Sequence, residues 1–224
     1  MLKPRKKMTK KELKKDPFFE RMDALVRFYH KHQQKIWTVI LVVVVVAVGG
    51  SFINRSIAKK QSQAKSQLTI AQFYLRSGQE EFAIAIFSEV KDGLYGDKYA
   101  GDAAYYLGYI NFENQNYEKA KENYHFFLES KGDDTLMKSS ALASLGSIEE
   151  LQGNYNIASE YYRKALEIAD LTYLKMSYGE KAFQNALKAG NITQAQLILE
   201  DLEKLELNEI QTNKLMAYAS MIEK

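Results

Sequence analysis

Four positions recur along the C-terminal region at a nearly constant interval: Gly78, Gln115, Gly153 and Gly190, spaced by 37, 38 and 37 residues. Five residues after each stands an alanine (Ala83, Ala120, Ala158 and Ala195), and four residues further a large apolar side chain (Phe87, Tyr124, Tyr162 and Leu199). A register of this length means one supersecondary unit per period. Each unit is too small to bury its apolar face alone and must stack on its neighbours, which makes a solenoid. The spacing within each unit is helical, no alternating strand pattern competes, and the two prolines, Pro4 and Pro17, both precede the repeats. The fold class is therefore all-α: about four helical hairpins, with helices expected over 57–77, 79–91, 98–115, 117–130, 135–152, 154–169, 173–189 and 191–204. Asn208 and Gln211 have the spacing of a capping box for a last helix reaching Ile222, placed to cover the final repeat.

Residue types narrow the kind of hairpin. Leu107-Gly108 and Leu145-Gly146 put a small residue seven positions before the turn, where a second helix can cross closely. After the turn, Tyr117 precedes Ala120 and Tyr155 precedes Ala158, so the aromatic packs into the hairpin while the alanine meets the partner helix. Ala120 and Ala158 should then resist enlargement, and Asn123 and Ser159 should tolerate change better. This pattern of Leu-Gly, glycine turn, Tyr, Ala and large apolar residue resembles the tetratricopeptide repeat. The central two units match well; in the outer two, Ala71 and Phe183 stand where glycine is expected.

Ahead of the repeats, Ile36 to Ile53 form 18 residues without a charge. At about 1.5 Å per residue the run spans roughly 27 Å, close to a hydrocarbon core of about 30 Å, and Trp37 sits where an interfacial aromatic belongs. Val42 to Val46 favour a strand in water, but in lipid only a helix satisfies its own backbone. The long segment before the run argues against a cleaved signal peptide, and the unbroken apolarity argues against a soluble core helix. No glycine or proline occurs between Ser51 and Ser77, so the membrane helix is expected to run into the first repeat helix. The organisation read is 1–35 as a basic cytoplasmic amphipathic arm, 36–53 as a transmembrane helix, 54–207 as repeats and 208–224 as a capping helix.

Charge divides at the same place. Residues 1–60 hold 15 Lys and Arg against 4 Asp and Glu, and the remainder 16 against 24. Within reach of the membrane the count is even: Arg21, Arg27, Lys31 and Lys35 before the run, Arg55, Lys59, Lys60 and Lys65 after it. Eight further basic residues between Lys3 and Lys15 break the tie toward a cytoplasmic N-terminus. The arm carries a capping box at Thr9 and Glu12, an Asp16-Pro17 helix start, and an apolar stripe of Phe18, Met22, Leu25 and Tyr29. Such an arm suits anionic lipid headgroups; nucleic acid is not an expected partner.

Chemistry is sparse. With no cysteine, thiolate catalysis and disulfides are excluded. His30, His32 and His125 lack metal-ligand spacing, Glu149 and Glu150 are helix neighbours that do not face each other, Asp133-Asp134 solvates a loop, and no phosphate loop, dinucleotide fingerprint or serine-nucleophile motif occurs. No catalytic residue, metal or cofactor is expected. Function is then a matter of surfaces. The resemblance implies a groove lined by the first helix of each hairpin, including Leu68, Gln72, Tyr105, Tyr109, Phe112, Ser147, Leu151, Gln184 and Leu187. Tyr105, Tyr109 and Phe112 share one stripe and are the candidate anchors for a peptide.

A basic arm, one anchor and an acidic repeat domain together resemble the YfgM-like ancillary subunits of the SecYEG translocon. The resemblance implies a single-pass protein of the bacterial inner membrane, with a periplasmic repeat domain that scaffolds interactions with the translocon, periplasmic chaperones or emerging polypeptides. The alternative is a targeting receptor whose repeats face the cytoplasm and read signal segments.

Overall fold

The computed structural model describes residues 17–130, 132 and 134–222. The capping box at Thr9 and Glu12, the Asp16 cap and the basic residues from Lys3 to Lys15 lie outside the described residues, as do Lys131 and Asp133. The described residues form α-helices and one 3-10 turn, with no strand among them. Contacts divide the chain into two units, Met1–Ile57 and Ala58–Lys224.

The first helix, α1 (Pro17–Arg76), is uninterrupted over 60 residues. It runs through Gly49 and Gly50, whose surroundings are open, and through the β-branched Val42 to Val46. No side chain between residues 17 and 57 is buried. The apolar window has a mean hydropathy of 2.7 with none of it buried, unlike a core helix, whose apolar side chains find partners within the protein. This helix is long and apolar enough to cross a membrane.

The second unit is a stack of hairpins. The end of α1 pairs with α2 (Glu80–Lys91), α3 (Ala100–Glu113) with α4 (Tyr117–Glu129), α5 (Thr135–Leu151) with α6 (Tyr155–Ile168), and α7 (Thr172–Lys188) with α8 (Ile192–Glu203); α9 (Glu209–Ile222) follows. α3 starts two residues later than the sequence suggests because Asp97–Tyr99 forms a 3-10 turn.

The four turn positions share one conformation. Gly78, Gln115, Gly153 and Gly190 have φ of 73°, 59°, 79° and 71°. In each turn the residue's own N–H and the next N–H bond back to the helix. Gly153 donates to the Glu150 carbonyl at 3.1 Å and Asn154 to that of Glu149 at 2.8 Å, and the Gln115 turn repeats this through Phe112 and Asn111 at 3.0 and 2.8 Å. These are Schellman closures, which glycine adopts without strain and glutamine does not.

Packing explains the small residues. Ala83, Ala120, Ala158 and Ala195 are fully buried. A Cβ built on Gly108 would stand 2.9 Å from the Tyr124 ring, and one on Gly146 3.1 Å from the Tyr162 ring. Each helix glycine therefore seats the aromatic of its partner helix. In the fourth hairpin Phe183 occupies the expected glycine position and is wholly buried; the close approach moves one turn earlier, to Gly179, where a Cβ would stand 2.4 Å from Leu202.

Successive hairpins meet through three positions of each first helix. Ala103, Leu107 and Ile110 pack on the first hairpin, and Ala141, Leu145 and Ile148 on the second. Tyr178 and Ala182, with the buried Asn185 beyond them, pack on the third, and Leu215, Ala219 and Ile222 of α9 close the fourth. α9 is thus the first helix of a fifth period. Asn208 and Gln211 cap it reciprocally, each backbone N–H donating to the other's side-chain oxygen at 3.0 Å.

Asn123 and Ser159, expected to tolerate change, and Asp134, expected only to solvate a loop, are each held by specific bonds. Asn123 is buried, accepting from Lys91 Nζ at 2.6 Å and donating to the Lys119 carbonyl at 2.8 Å. Ser159 is fully buried and donates to the Ala182 carbonyl at 2.8 Å. Asp134 does more than solvate a loop: its carboxylate accepts from the Met137 N–H at 2.9 Å and caps α5.

Candidate functional site

The groove candidates separate by environment. Tyr105 is half-buried, its ring 5.3 Å from Phe127, 5.5 Å from Tyr106 and 6.0 Å from Tyr124. Its ring packs on the core cluster shared by the second and third hairpins, and burial pushes its titration up. It belongs to the packing between hairpins. Phe112 is half-buried, 6.1 Å from the Tyr117 ring. Tyr109, one turn from each, is 43% exposed and makes no ring contact among the described residues.

The remaining positions follow the same division. Leu68 is buried in the first core cluster and offers no groove surface. Gln72 and Ser147 are half-buried. Leu151, at the end of α5, is 61% exposed. Gln184 is exposed and Leu187 half-buried. The accessible apolar groups are therefore Tyr109 and Leu151, on the first helices of adjacent hairpins, with Phe112 beside Tyr109. Nothing in a helical period distinguishes Tyr105 from Tyr109; the neighbours across the stack decide it.

Charges join the hairpins. Glu149 and Glu150 diverge: Glu149 is buried, pairs with Lys121 at 3.3 Å and accepts from Asn154, whereas Glu150 pairs with Lys188 at 2.7 Å and accepts from the Tyr162 phenol. Burial pushes the Glu150 carboxyl up, but hydrogen bonds from Lys188 and Asn185 and the charges of Lys188 and Lys181 outweigh it and hold the group below the usual carboxylate range. Burial, aided by the Asp134 charge, raises Asp102.

The sequence did not signal a cavity of about 880 Å³ between the linkers of the second hairpin, lined by Lys91, Asp97, Tyr99, Asp102, Phe126 and Ser130 among others. Gly93, with positive φ, is part of its lining and was the available clue. The signs of charge around it are mixed, and no group of three metal-ligating side chains occurs among the described residues.

A model of the tetratricopeptide repeat-like domain matches residues 27–170, well over half of the chain. The chain belongs to this tetratricopeptide repeat-like family. The match takes in the apolar part of α1 and the first three hairpins, while the fourth hairpin and α9, which continue the same register, lie beyond it. No curated protein matches the chain. As a tetratricopeptide repeat protein it is a protein-protein interaction scaffold, and its working parts are the surfaces that stacking leaves open.

Proposed function

We propose that this protein is a single-pass scaffold of the bacterial inner membrane, with its N-terminus in the cytoplasm and its repeats outside, where they hold polypeptide segments beside the translocon during secretion or envelope protein folding. The observation that carries the binding role is the exposure of Tyr109 and Leu151 on neighbouring first helices while the aromatics around them are packed. A phenol with a polar tip beside an aliphatic surface suits an apolar segment whose backbone remains hydrated. Support for the anchor comes from the unburied apolar window of α1, and support for the orientation from the basic residues ahead of it. The resemblance to YfgM-like subunits points to the translocon as the neighbour.

The test is in-cell photo-crosslinking from the full-length protein with a photoreactive residue at Tyr109, and at Glu160 as a control on a second helix. Selective capture at Tyr109 of chains in transit or of translocon subunits is the expected result. Equal yields from both sites, or no secretory partner, would overturn the reading. A phosphatase fused after Lys224 should be active; an inactive one would transfer the groove to the cytoplasm-facing receptor.

A further inference from the structure

The three positions that join each hairpin to the one before it exist on α1 as well. Stepping back 37 residues from Ala103, Leu107 and Ile110 gives Ser66, Ile70 and Phe73. In every later period these positions pack on a preceding hairpin. On α1, Ser66 is exposed, Ile70 is 40% exposed and Phe73 is 64% exposed. α9 packs on the fourth hairpin, whereas the equivalent face of α1 is left uncovered among the described residues.

We propose that this face docks an amphipathic helix of another protein, which adds one layer to the N-terminal end of the stack. Continuity with the internal interfaces defines the occupant. Ala103, Leu107 and Ile110 share one core cluster with the buried Ala83, Phe87 and Val90 of α2, so a helix that adds a layer presents a comparable apolar stripe of small, aromatic and aliphatic residues. A second copy has no such surface free, since the alanine and large apolar residues of its own second helices are all buried within the chain.

Charge sets the rim. Between residues 58 and 76 there are four cations, Lys59, Lys60, Lys65 and Arg76, and no acid, and none of the four forms an ion pair among the described residues. Lys59 lies on the stripe of Ser66, Ile70 and Phe73 at helical spacing, and Arg76 lies three residues past Phe73. Later boundaries are bridged, Lys121 to Glu149 at 3.3 Å and Arg163 to Asp201 at 3.4 Å. The partner helix is therefore acidic at its edges, and two copies face to face would set cation against cation.

The probe is a fluorescent, hydrocarbon-stapled peptide of residues 79–91, which carries Ala83, Phe87 and Val90 together with Glu80, Glu81 and Glu89, titrated with the full-length protein in detergent micelles. Saturable binding is expected, weakened at least about tenfold by Phe73→Glu in the protein or Phe87→Glu in the peptide, and weakened by added salt. Binding insensitive to Phe73→Glu would mean that the peptide displaces α2 and would overturn the proposal, as would no binding at all by the pre-organised peptide. Ser66→Cys supplies a single thiol in a cysteine-free chain. Disulfide-linked dimers in native membranes, abolished by Phe73→Glu, would give the face to a second copy instead.

Discussion

Tyr105 and Tyr109 are the same residue type, one helical turn apart, and the structure predicts that they contribute to different things. Replacing a fully buried aromatic by alanine costs about 3 to 5 kcal/mol. Tyr105 keeps part of its ring in solvent, which lowers that figure, but it loses three ring contacts at 5.3 to 6.0 Å. Tyr105→Ala is therefore expected to cost about 2 to 4 kcal/mol. Tyr105→Phe retains the ring contacts and should cost under about 1 kcal/mol. Tyr109→Ala removes a largely exposed ring without ring partners and should cost about 0.5 kcal/mol. For a repeat domain of this size each kcal/mol moves the melting temperature by about 2 to 4 °C. Thermal unfolding of the full-length protein in micelles, followed by circular dichroism, should then show Tyr105→Ala falling by roughly 4 to 16 °C and Tyr109→Ala by about 2 °C or less. Photo-crosslinking or peptide capture should be lost in Tyr109→Ala at unchanged stability. Equal midpoints for the two alanine variants would refute the packing assignment, and undiminished capture by Tyr109→Ala would refute the anchor.

Two further outcomes follow from local geometry. Gln115→Gly relieves a left-handed residue at φ 59° and should raise the urea midpoint by the equivalent of about 0.5 to 1 kcal/mol; a lower midpoint would mean that the glutamine side chain supports the turn. Asp102→Asn and Glu150→Gln should shift stability in opposite directions at neutral pH. The native state raises the Asp102 pKa, so ionisation is a penalty that grows as pH rises past the ordinary value, and the asparagine variant gains. It lowers the Glu150 pKa, so that stabilisation is present above the ordinary value and lost as pH falls through the native one, and the glutamine variant loses. Both differences should be under about 1 kcal/mol, given the exposure of these groups. Urea midpoints at about pH 7 and pH 3 check the signs, and differences of one sign, or ones that do not fade on acidification, would contradict the two environments.

The candidate site was only partly legible in the sequence. The stripe of Tyr105, Tyr109 and Phe112 was visible from helical spacing, but spacing assigns residues to a face and says nothing about what lies opposite. Tyr124 and Phe127 hold Tyr105 inward, and both come from the partner helix, outside its own helical period. The same limit applies to Asn123 and Ser159, polar residues expected to tolerate change that are held inside by Lys91 and by the Ala182 carbonyl.

What the sequence determined by itself is local or periodic. The turns at Gly78, Gln115, Gly153 and Gly190, the alanines five residues on, the reciprocal cap of Asn208 and Gln211 and the apolar run of α1 each depend on a few neighbouring residues, so their chemistry is complete within a short window. The tertiary structure alone decided where layers touch. It moved the close helix crossing of the fourth hairpin from the position of Phe183 to Gly179, divided Tyr105 from Tyr109, and left Ile70 and Phe73 uncovered while their counterparts Leu107 and Ile110 are buried. These are questions of which side chain fills the space against a distant helix, and close packing answers them only once both surfaces are in place.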